Sequence, residues 1–152
     1  MCLKDISGWM ILNKLKNNGD KLDAMLVGTK QQLAKIDFSS IKVGDTNVKL
    51  SKVVRNLGIL FDGELTMAEQ VSNLCKSSFC QLRDIRAVRR FINPEATRTA
   101  IQSFVCSRLD YGNALYFGIH KKQIRRLQCV QNVAAKLVMG GRKYDHVTPI
   151  LN

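Results

Sequence analysis

Two clusters of basic side chains have a spacing that could bind phosphate groups. Arg83, Arg86 and Arg90 are three and four residues apart, so they share one side of a predicted helix. A second cluster occupies the opening turns of another predicted helix and consists of Lys121, Lys122, Arg125 and Arg126. Helix N-termini favour anions, and cations beside one make a suitable phosphate site. A solvated helix face is the alternative for either cluster, and it stays open here.

The overall charge points to the same class of ligand. The chain has 24 Lys and Arg against 12 Asp and Glu, a net charge of +12 and a pI of about 9.8. Residues 1–62 hold ten basic and six acidic side chains, and the remaining residues hold fourteen and six. This excess favours polyanionic partners, with nucleic acid first and an anionic membrane surface second. Because the basic clusters contain almost no aromatic residues, we expect backbone contact rather than base stacking.

No constellation of residues in the sequence identifies an enzyme. Two-metal phosphoryl transfer needs carboxylates that converge on the cations, whereas this chain has no adjacent acidic pair and its carboxylates are scattered. Neither a Ser–His–Asp spacing nor a glycine-rich phosphate loop is present. We therefore predict no catalytic residue and no metal site from the residues alone.

The cysteines favour reduced thiols over a disulfide framework or zinc. They are odd in number, form no Cys-x-x-Cys pair and lie at no ligand spacing from the histidines; they are Cys2, Cys75, Cys80, Cys106 and Cys129. We expect buried, reduced thiols. No apolar run approaches the ~20 residues of a membrane span, and the N-terminus has no signal-peptide core. The expectation is a soluble, intracellular chain.

Residues 1–62 read as a small mixed segment of helix and sheet. Apolar residues predict a helix over 6–15, a strand over 24–27 that ends at Gly28, and one helical turn or a loop over 29–35. A hairpin is predicted over 41–50, with a turn over 44–47. Alternation over 55–62 predicts a last strand, with Leu57, Ile59 and Phe61 on its apolar face. Gly58 within it indicates a bulge, a close approach or a simple kink.

Residues 63–140 have the helical period and predict three helices. The first starts at a capping box formed by Thr66 and Glu69 and runs to about Arg90. Its buried stripe is Val71, Leu74, Cys75, Ser78, Leu82 and Ile85. Asn93-Pro94 opens the second helix, which buries Ala100, Ile101, Phe104, Val105 and Leu109 and ends or kinks near residues 111–112.

The third predicted helix starts near Lys121 and ends at Gly140-Gly141. Its expected buried face is Ile124, Leu127, Val130, Ala134, Leu137 and Val138. Residues 141–152 close no element, and we interpret them as a truncated tail. The predicted fold class is α+β, with a small β-hairpin sheet followed by a three-helix bundle.

In several places the sequence resembles the reverse transcriptases of non-LTR (LINE-type, jockey-like) retrotransposons. Trp9-Met10 and residues 13–21 are similar to the W-x-x-x-N-x-L-K-L-N-x-x-K-T-E stretch of these enzymes, and residues 55–62 resemble their following L-G strand. Further similar segments are 65–66, 75–78, 82–83, 107–115, 127–128, 130–132 and 142–149, of which S-R-L-D-Y-x-N-A-L and Q-x-V-Q-N are the most specific. The resemblance covers nearly the whole chain.

This resemblance implies the edge of a polymerase palm and its helical thumb. Asn56, Leu57 and Gly58 would form a primer-grip-like strand, the basic clusters would hold duplex phosphates, and no membrane would be involved. Lys21 matches a lysine of these polymerases that is considered to act as a general acid, which donates a proton to the leaving pyrophosphate. The Tyr-x-Asp-Asp aspartates and the Mg²⁺ they bind belong to the parent enzyme. We therefore expect no polymerase activity and no cofactor in this chain.

Two departures and two alternatives accompany this interpretation. The family's L-K-L-N is Leu15-Lys16-Asn17-Asn18 here, and K-T-E is Lys21-Leu22-Asp23. The chain could instead be a free-standing, sequence-independent nucleic-acid-binding module. It could also be a non-functional element remnant whose sheet lacks its partner strands and exposes an apolar edge.

Overall fold

A computed structural model describes residues 2–16, 18, 21–44 and 46–141, with side chains from residue 4. The elements in chain order are α1 (Cys2–Leu12), α2 (Lys30–Leu33), β1 (Ser40–Val43), β2 (Thr46–Lys49), β3 (Val53–Asn56), β4 (Ile59–Asp62), α3 (Ala68–Val88), α4 (Pro94–Ile101), α5 (Ser107–Asp110) and α6 (Lys121–Met139). The fold is thus mixed helix and sheet, as predicted. The chain divides into two compact units, Met1–Leu65 and Thr66–Asn152, called the N-terminal and C-terminal units below.

The N-terminal unit contains two antiparallel hairpins. Strands β1 and β2 pair Ile41 with Val48 and Val43 with Thr46, which confirms the first predicted hairpin. Its turn is shorter than predicted, because Thr46 and Asn47 already belong to β2. Asp45, in the predicted turn, lies outside the described residues. The second hairpin pairs Val53 with Asp62 in β3 and β4.

The prediction of one strand over 55–62 is wrong, because this octet folds back on itself. Asn56 at the end of β3 pairs with Ile59 at the start of β4, and only Leu57 and Gly58 lie between them. Their φ angles are 47° and 85°. Two consecutive positive φ angles are typical of the type I′ turn, whose twist suits a two-residue hairpin. Gly58 therefore supplies turn geometry rather than a bulge, and Leu57, expected on an apolar face, is 82% exposed.

Replacing Leu57 by Asn should stabilise this hairpin. Leucine in the left-handed region suffers a clash between Cβ and the backbone, which Asn tolerates better. We expect the Leu57→Asn variant to raise the free energy of unfolding by up to about 1 kcal/mol, because Asn relieves part of the cost of the left-handed region; urea denaturation measures the change. Leu57→Ala is the control, since it removes the same exposed side chain without adding tolerance of positive φ. Equal stabilities for the two variants would contradict the turn assignment.

The remaining part of the N-terminal unit differs from prediction in detail. The strand expected over 24–27 is absent from the described structure: Ala24 alone forms a parallel bridge, with Leu50. Residues 29–35 contain a helical turn, α2, because Thr29 and Gln32 form a capping box. The first helix exists but covers Cys2–Leu12 rather than 6–15. Asn17, Gly19 and Asp20, which were expected to end it, lie outside the described residues.

The core of the C-terminal unit confirms the predicted stripe of the first helix. All six predicted positions on α3 are buried, and so are the central residues of the other helices: Ile101, Val105, Leu109, Val130, Ala134 and Leu137. Two predicted core residues, Phe104 and Ile124, are instead exposed. Phe104 lies in a π-helical turn, Gln102–Cys106, between α4 and α5. Because a π turn contains an extra residue, it rotates the side chains out of the regular helical register.

The ends of these helices follow local capping chemistry. The Asn93 Oδ1 atom accepts a hydrogen bond of 2.7 Å from the amide of Ala96, with Pro94 in the first helical position, as predicted. Gly140 ends α6 with a φ of 77°, also as predicted. The start of α3 differs, because Met67 is the N-cap in a left-handed conformation. The Thr66 hydroxyl accepts from the amide of Ala68, so the predicted bond to the third helical amide is not the one formed.

Candidate nucleic-acid interface

Helices α3 and α6 lie side by side and run in the same direction. Near their first turns, the Arg126 Nη1 atom donates a hydrogen bond of 3.0 Å to the Ser72 hydroxyl. Beyond their last turns, Arg89 follows α3 and Gly140 follows α6, and a Cβ atom added to Gly140 would lie 2.6 Å from the Arg89 Nη2 atom. Contacts at both matching ends require a parallel pair. The basic clusters on α3 and α6 therefore lie at opposite ends of the pair.

The cluster at the start of α6, called the α6 cluster, consists of Lys121, Lys122, Arg125 and Arg126. With His120 and Cys129 these residues line an open depression of about 490 Å³. The first three side chains are exposed. Among the described residues, no carboxylate forms an ion pair with any of the four. Their charges are therefore free to meet an anion in the depression.

Arg126 differs from its three neighbours because it also holds the helices together. It is half-buried, and its Nη1 atom donates to Ser72 on α3 and to the Gln123 Oε1 atom, each at 3.0 Å. Ser72 is itself held in place by donating to the backbone oxygen of Ala68 at 2.8 Å. The guanidinium is thus fixed in orientation, and its other nitrogen atoms are available to a ligand.

The start of α6 has a histidine as its N-cap and basic rather than acidic residues in its first turn. The His120 Nδ1 atom accepts a hydrogen bond of 3.1 Å from the amide of Lys122, and it caps the helix. The first turn contains no acidic residue. Because a helix N-terminus carries partial positive charge, cations there oppose the helix dipole. Sequence reasoning missed the capping role of His120, whose only signal is its position just before Lys121.

The cluster at the end of α3, called the α3 cluster, is less uniform than the sequence indicated. It consists of Arg83, Arg86 and Arg90, all exposed. Arg83 lies 3.5 Å from the carboxylate of Asp84, so part of its charge is offset. Arg86 and Arg90 line a second depression, of about 380 Å³, together with Arg89, Ile92, Pro94 and Thr97.

Arg89 serves the fold as well as this surface. It is half-buried, and its guanidinium lies against Gly140 at the C-terminal end of α6. Cations are favourable at helix C-termini, where the last carbonyl groups have no intrahelical donor. Arg86 and Arg90 are therefore the two guanidinium groups of this depression that the helix packing leaves available.

The parallel arrangement sets the distance between the clusters. Arg126 lies beside Ser72, and Arg86 lies fourteen residues further along α3. At 1.5 Å per residue, the two clusters are about 21 Å apart along the helix axis. Phosphates along one strand of a duplex advance by about 3.4 Å per step. Because about 21 Å is several such steps, one phosphate could not meet both clusters, and a ligand bound at both would use separate phosphates.

The other predicted site residues lie in the N-terminal unit. Lys21 is exposed, and its amide donates to the Asn18 oxygen at 3.1 Å. Asn56, Leu57 and Gly58 form the tip of the second hairpin rather than a strand interior. Within the described ranges, no group of three or more His, Cys, Asp or Glu side chains could hold a metal ion.

Cys75 and Cys106 do not have the environment of a catalytic cysteine. Burial raises the pKa of the Cys75 thiol, nearby Arg126 lowers it in part, and Cys129 raises it further. Burial and the Asp110 charge raise the pKa of Cys106. Activated cysteines have lowered pKa values, so both thiols are protonated at neutral pH. The prediction of buried thiols is confirmed for Cys75 but wrong for Cys80 and Cys129, which are exposed; Cys106 is half-buried, and the side chain of Cys2 lies outside the described residues.

Comparison with known proteins yields no relative. The chain matches no protein-family model, no curated protein and no solved structure. The described helices include none that is long and apolar enough to cross a membrane. The function must therefore be argued from the chemistry of the surface.

Proposed function

We propose that this chain binds the sugar–phosphate backbone of nucleic acid, as the template-primer-binding part of a non-LTR retrotransposon reverse transcriptase. Residues 1–62 would be the palm edge, and the helices over 63–140 would be the thumb. The chain would lack polymerase activity, because its sequence contains no Tyr-x-Asp-Asp motif for the catalytic metals.

The depression at the start of α6 is the observation that carries this proposal. Four cations converge at the N-terminus of a nineteen-residue helix, and no described carboxylate neutralises them. Like charge against the helix dipole destabilises α6 in the free protein. A bound phosphate would remove that conflict, because its negative charge would pair with the cations and is favourable at a helix N-terminus. A phosphate ligand would thus explain why cations lie at the N-terminus of α6, whereas a solvated helix face would not explain it.

The tip of the second hairpin supports the assignment to a template-primer-binding part of a reverse transcriptase. Leu57 keeps an exposed apolar side chain on a residue with positive φ, where Asn or Gly would be less strained. Strained residues are retained most often where they contact a ligand. In the proposed primer grip, this leucine would touch the primer end. Lys21 would be a solvated surface lysine here, since its proposed proton transfer needs bound nucleotide and metals.

The salt dependence of binding tests the proposal. Labelled DNA duplexes of two unrelated sequences, and an RNA–DNA hybrid, are titrated with the full chain at several NaCl concentrations. We expect similar affinities for both sequences and a logarithmic slope of about −0.9 per phosphate contacted on DNA. A flat salt response would rule out phosphate binding. Primer extension by the purified chain with Mg²⁺ would instead overturn its assignment as an inactive fragment.

The free-standing binding module remains the second candidate, because the same surface supports it. The two candidates differ in ligand preference. A template-primer-binding fragment should prefer a recessed primer–template junction to a blunt duplex when its hairpin tip is intact. A sequence-independent module that uses only the basic clusters should bind both alike. Competition between the two ligands, repeated with the Leu57→Asn variant, separates these outcomes.

A further inference from the structure

Phe91 is an exposed aromatic side chain at the edge of the α3 cluster. It ends the 3₁₀ turn Arg89–Phe91, which connects α3 to α4, and it is 74% exposed. The Arg90 guanidinium carbon lies 4.6 Å from the centre of its ring. The next residue, Ile92, is half-buried and lines the adjoining depression. Phe91 is therefore not needed to fill the core.

The surroundings of Phe91 match the chemistry of a nucleotide. Arg86 and Arg90 line the adjoining depression, and neither forms an ion pair with a described residue. An aromatic ring presents a face on which a base can stack, while neighbouring cations contact the phosphates. A guanidinium on the ring adds a flat, cationic group that also stacks on bases. This combination was not expected, because the sequence argument set base stacking aside.

We propose that Phe91, together with Arg86 and Arg90, is a stacking site for an unpaired base of a nucleic-acid strand. The inference rests on the proposed function and specifies part of its ligand. Bases inside a duplex are already stacked on their neighbours, so only a base at an overhang, a frayed end or a single strand can reach the ring. The site would therefore favour nucleic acid with a single-stranded segment next to the phosphates that Arg86 and Arg90 contact.

A fluorescent base analogue tests this directly. 2-Aminopurine is placed in the single-stranded overhang of a duplex, and its fluorescence is followed as the full chain is added. Stacking on Phe91 should change the emission of an analogue in the overhang, whereas an analogue within the duplex should respond little. In the Phe91→Ala variant the change should vanish, and affinity for the overhang substrate should fall by about 5- to 150-fold. Phe91→Trp should restore both.

Phe117→Ala is the matched control. Phe117 is 96% exposed in the same unit, but it adjoins a depression formed by Leu109, Tyr116 and Leu127 rather than by cations. This variant should bind overhang substrates like the unmodified protein. Equal affinity of the unmodified chain for blunt and overhanging duplexes, or an unchanged Phe91→Ala variant, would overturn the stacking site. Displacement of the signal by adenosine monophosphate at equal concentration would assign the ring to a free nucleotide instead.

The stacking site and the proposed function fail in distinguishable ways. Loss of stacking should leave blunt-duplex affinity and its salt slope unchanged, because those depend on phosphate contacts. If Phe91→Ala weakened binding to the blunt duplex as strongly as binding to the overhang substrate, the stacking role would be contradicted. If the unmodified chain bound neither substrate, both proposals would be wrong.

Discussion

Replacing Lys121, Lys122 and Arg125 together by Gln is expected to reduce duplex affinity by up to about 500-fold at 0.1 M salt. Each lost phosphate contact removes about 0.9 from the logarithmic salt slope, so three contacts remove about 2.7. The logarithm of the binding constant varies linearly with the logarithm of the salt concentration, which is −1 at 0.1 M. A slope change of about 2.7 therefore lowers the logarithm of the binding constant by about 2.7 at this concentration. Fluorescence anisotropy across a salt series measures both the slope and the affinity.

The control for this variant has the same change in net charge. Lys42, Lys49 and Lys52 are exposed on or beside the hairpin strands of the N-terminal unit. Their replacement by Gln also removes three positive charges but leaves the α6 cluster intact. We expect a much smaller loss of affinity than in the α6 variant. Equal losses would show that binding follows total charge rather than this surface.

The same α6 variant should be more stable than the unmodified protein. Removing cations from the first turns of α6 relieves their unfavourable interaction with the helix dipole, by about 0.3–1 kcal/mol for each well-placed charge. Weaker binding in a more stable protein would identify these residues as retained for a ligand. If the variant lost binding because it unfolded, it would be less stable than the unmodified protein. A thermal melt therefore distinguishes unfolding from the loss of phosphate contacts.

Leu82→Ala is expected to lower the free energy of unfolding by about 2–5 kcal/mol. Leu82 is 2% exposed and belongs to the core shared by α3, α4 and α6. Truncation removes its apolar contacts and leaves a cavity among residues that relax only in part. Urea denaturation monitored by far-ultraviolet circular dichroism measures the change.

Leu115→Ala provides the comparison, because Leu115 belongs to the same unit but is 42% exposed. Truncation of this exposed side chain should lower the free energy of unfolding by well under half as much as Leu82→Ala does. The unmodified protein should unfold in a cooperative transition. A gradual, non-cooperative melt, or equal losses in the two variants, would favour the non-functional remnant, whose core would not specify one packed structure.

The sequence predicted the C-terminal helices well because their signals are local and repeated. The stripe from Val71 to Ile85, the Asn93-Pro94 start and the Gly140 end each depend on periodicity or on capping, and all are confirmed. The failure at Phe104 has a different cause. A π turn shifts register without a distinctive composition, so periodicity alone placed this ring in the core.

Prediction was weaker for the N-terminal unit and for the site. A Leu-Gly pair gives less turn signal than Asn-Gly, so residues 55–62 looked like one continuous strand. The clusters on α3 and α6 were found from spacing, but their placement at opposite ends follows from long-range packing that no local pattern encodes. Phe91 was overlooked because no local pattern shows whether an aromatic residue beside arginines is buried or exposed.

The parallel pairing of α3 and α6 also constrains how this unit folds. Arg126 and Ser72 are 54 residues apart in sequence, so the two helices meet only after a long loop has closed. Loop closure carries an entropic cost, and domains rich in such distant contacts fold more slowly than simple up-and-down bundles. During synthesis the buried stripe of α3 stays without its main partner until α6 has left the ribosome. The nascent chain is therefore most prone to aggregation before α6 emerges.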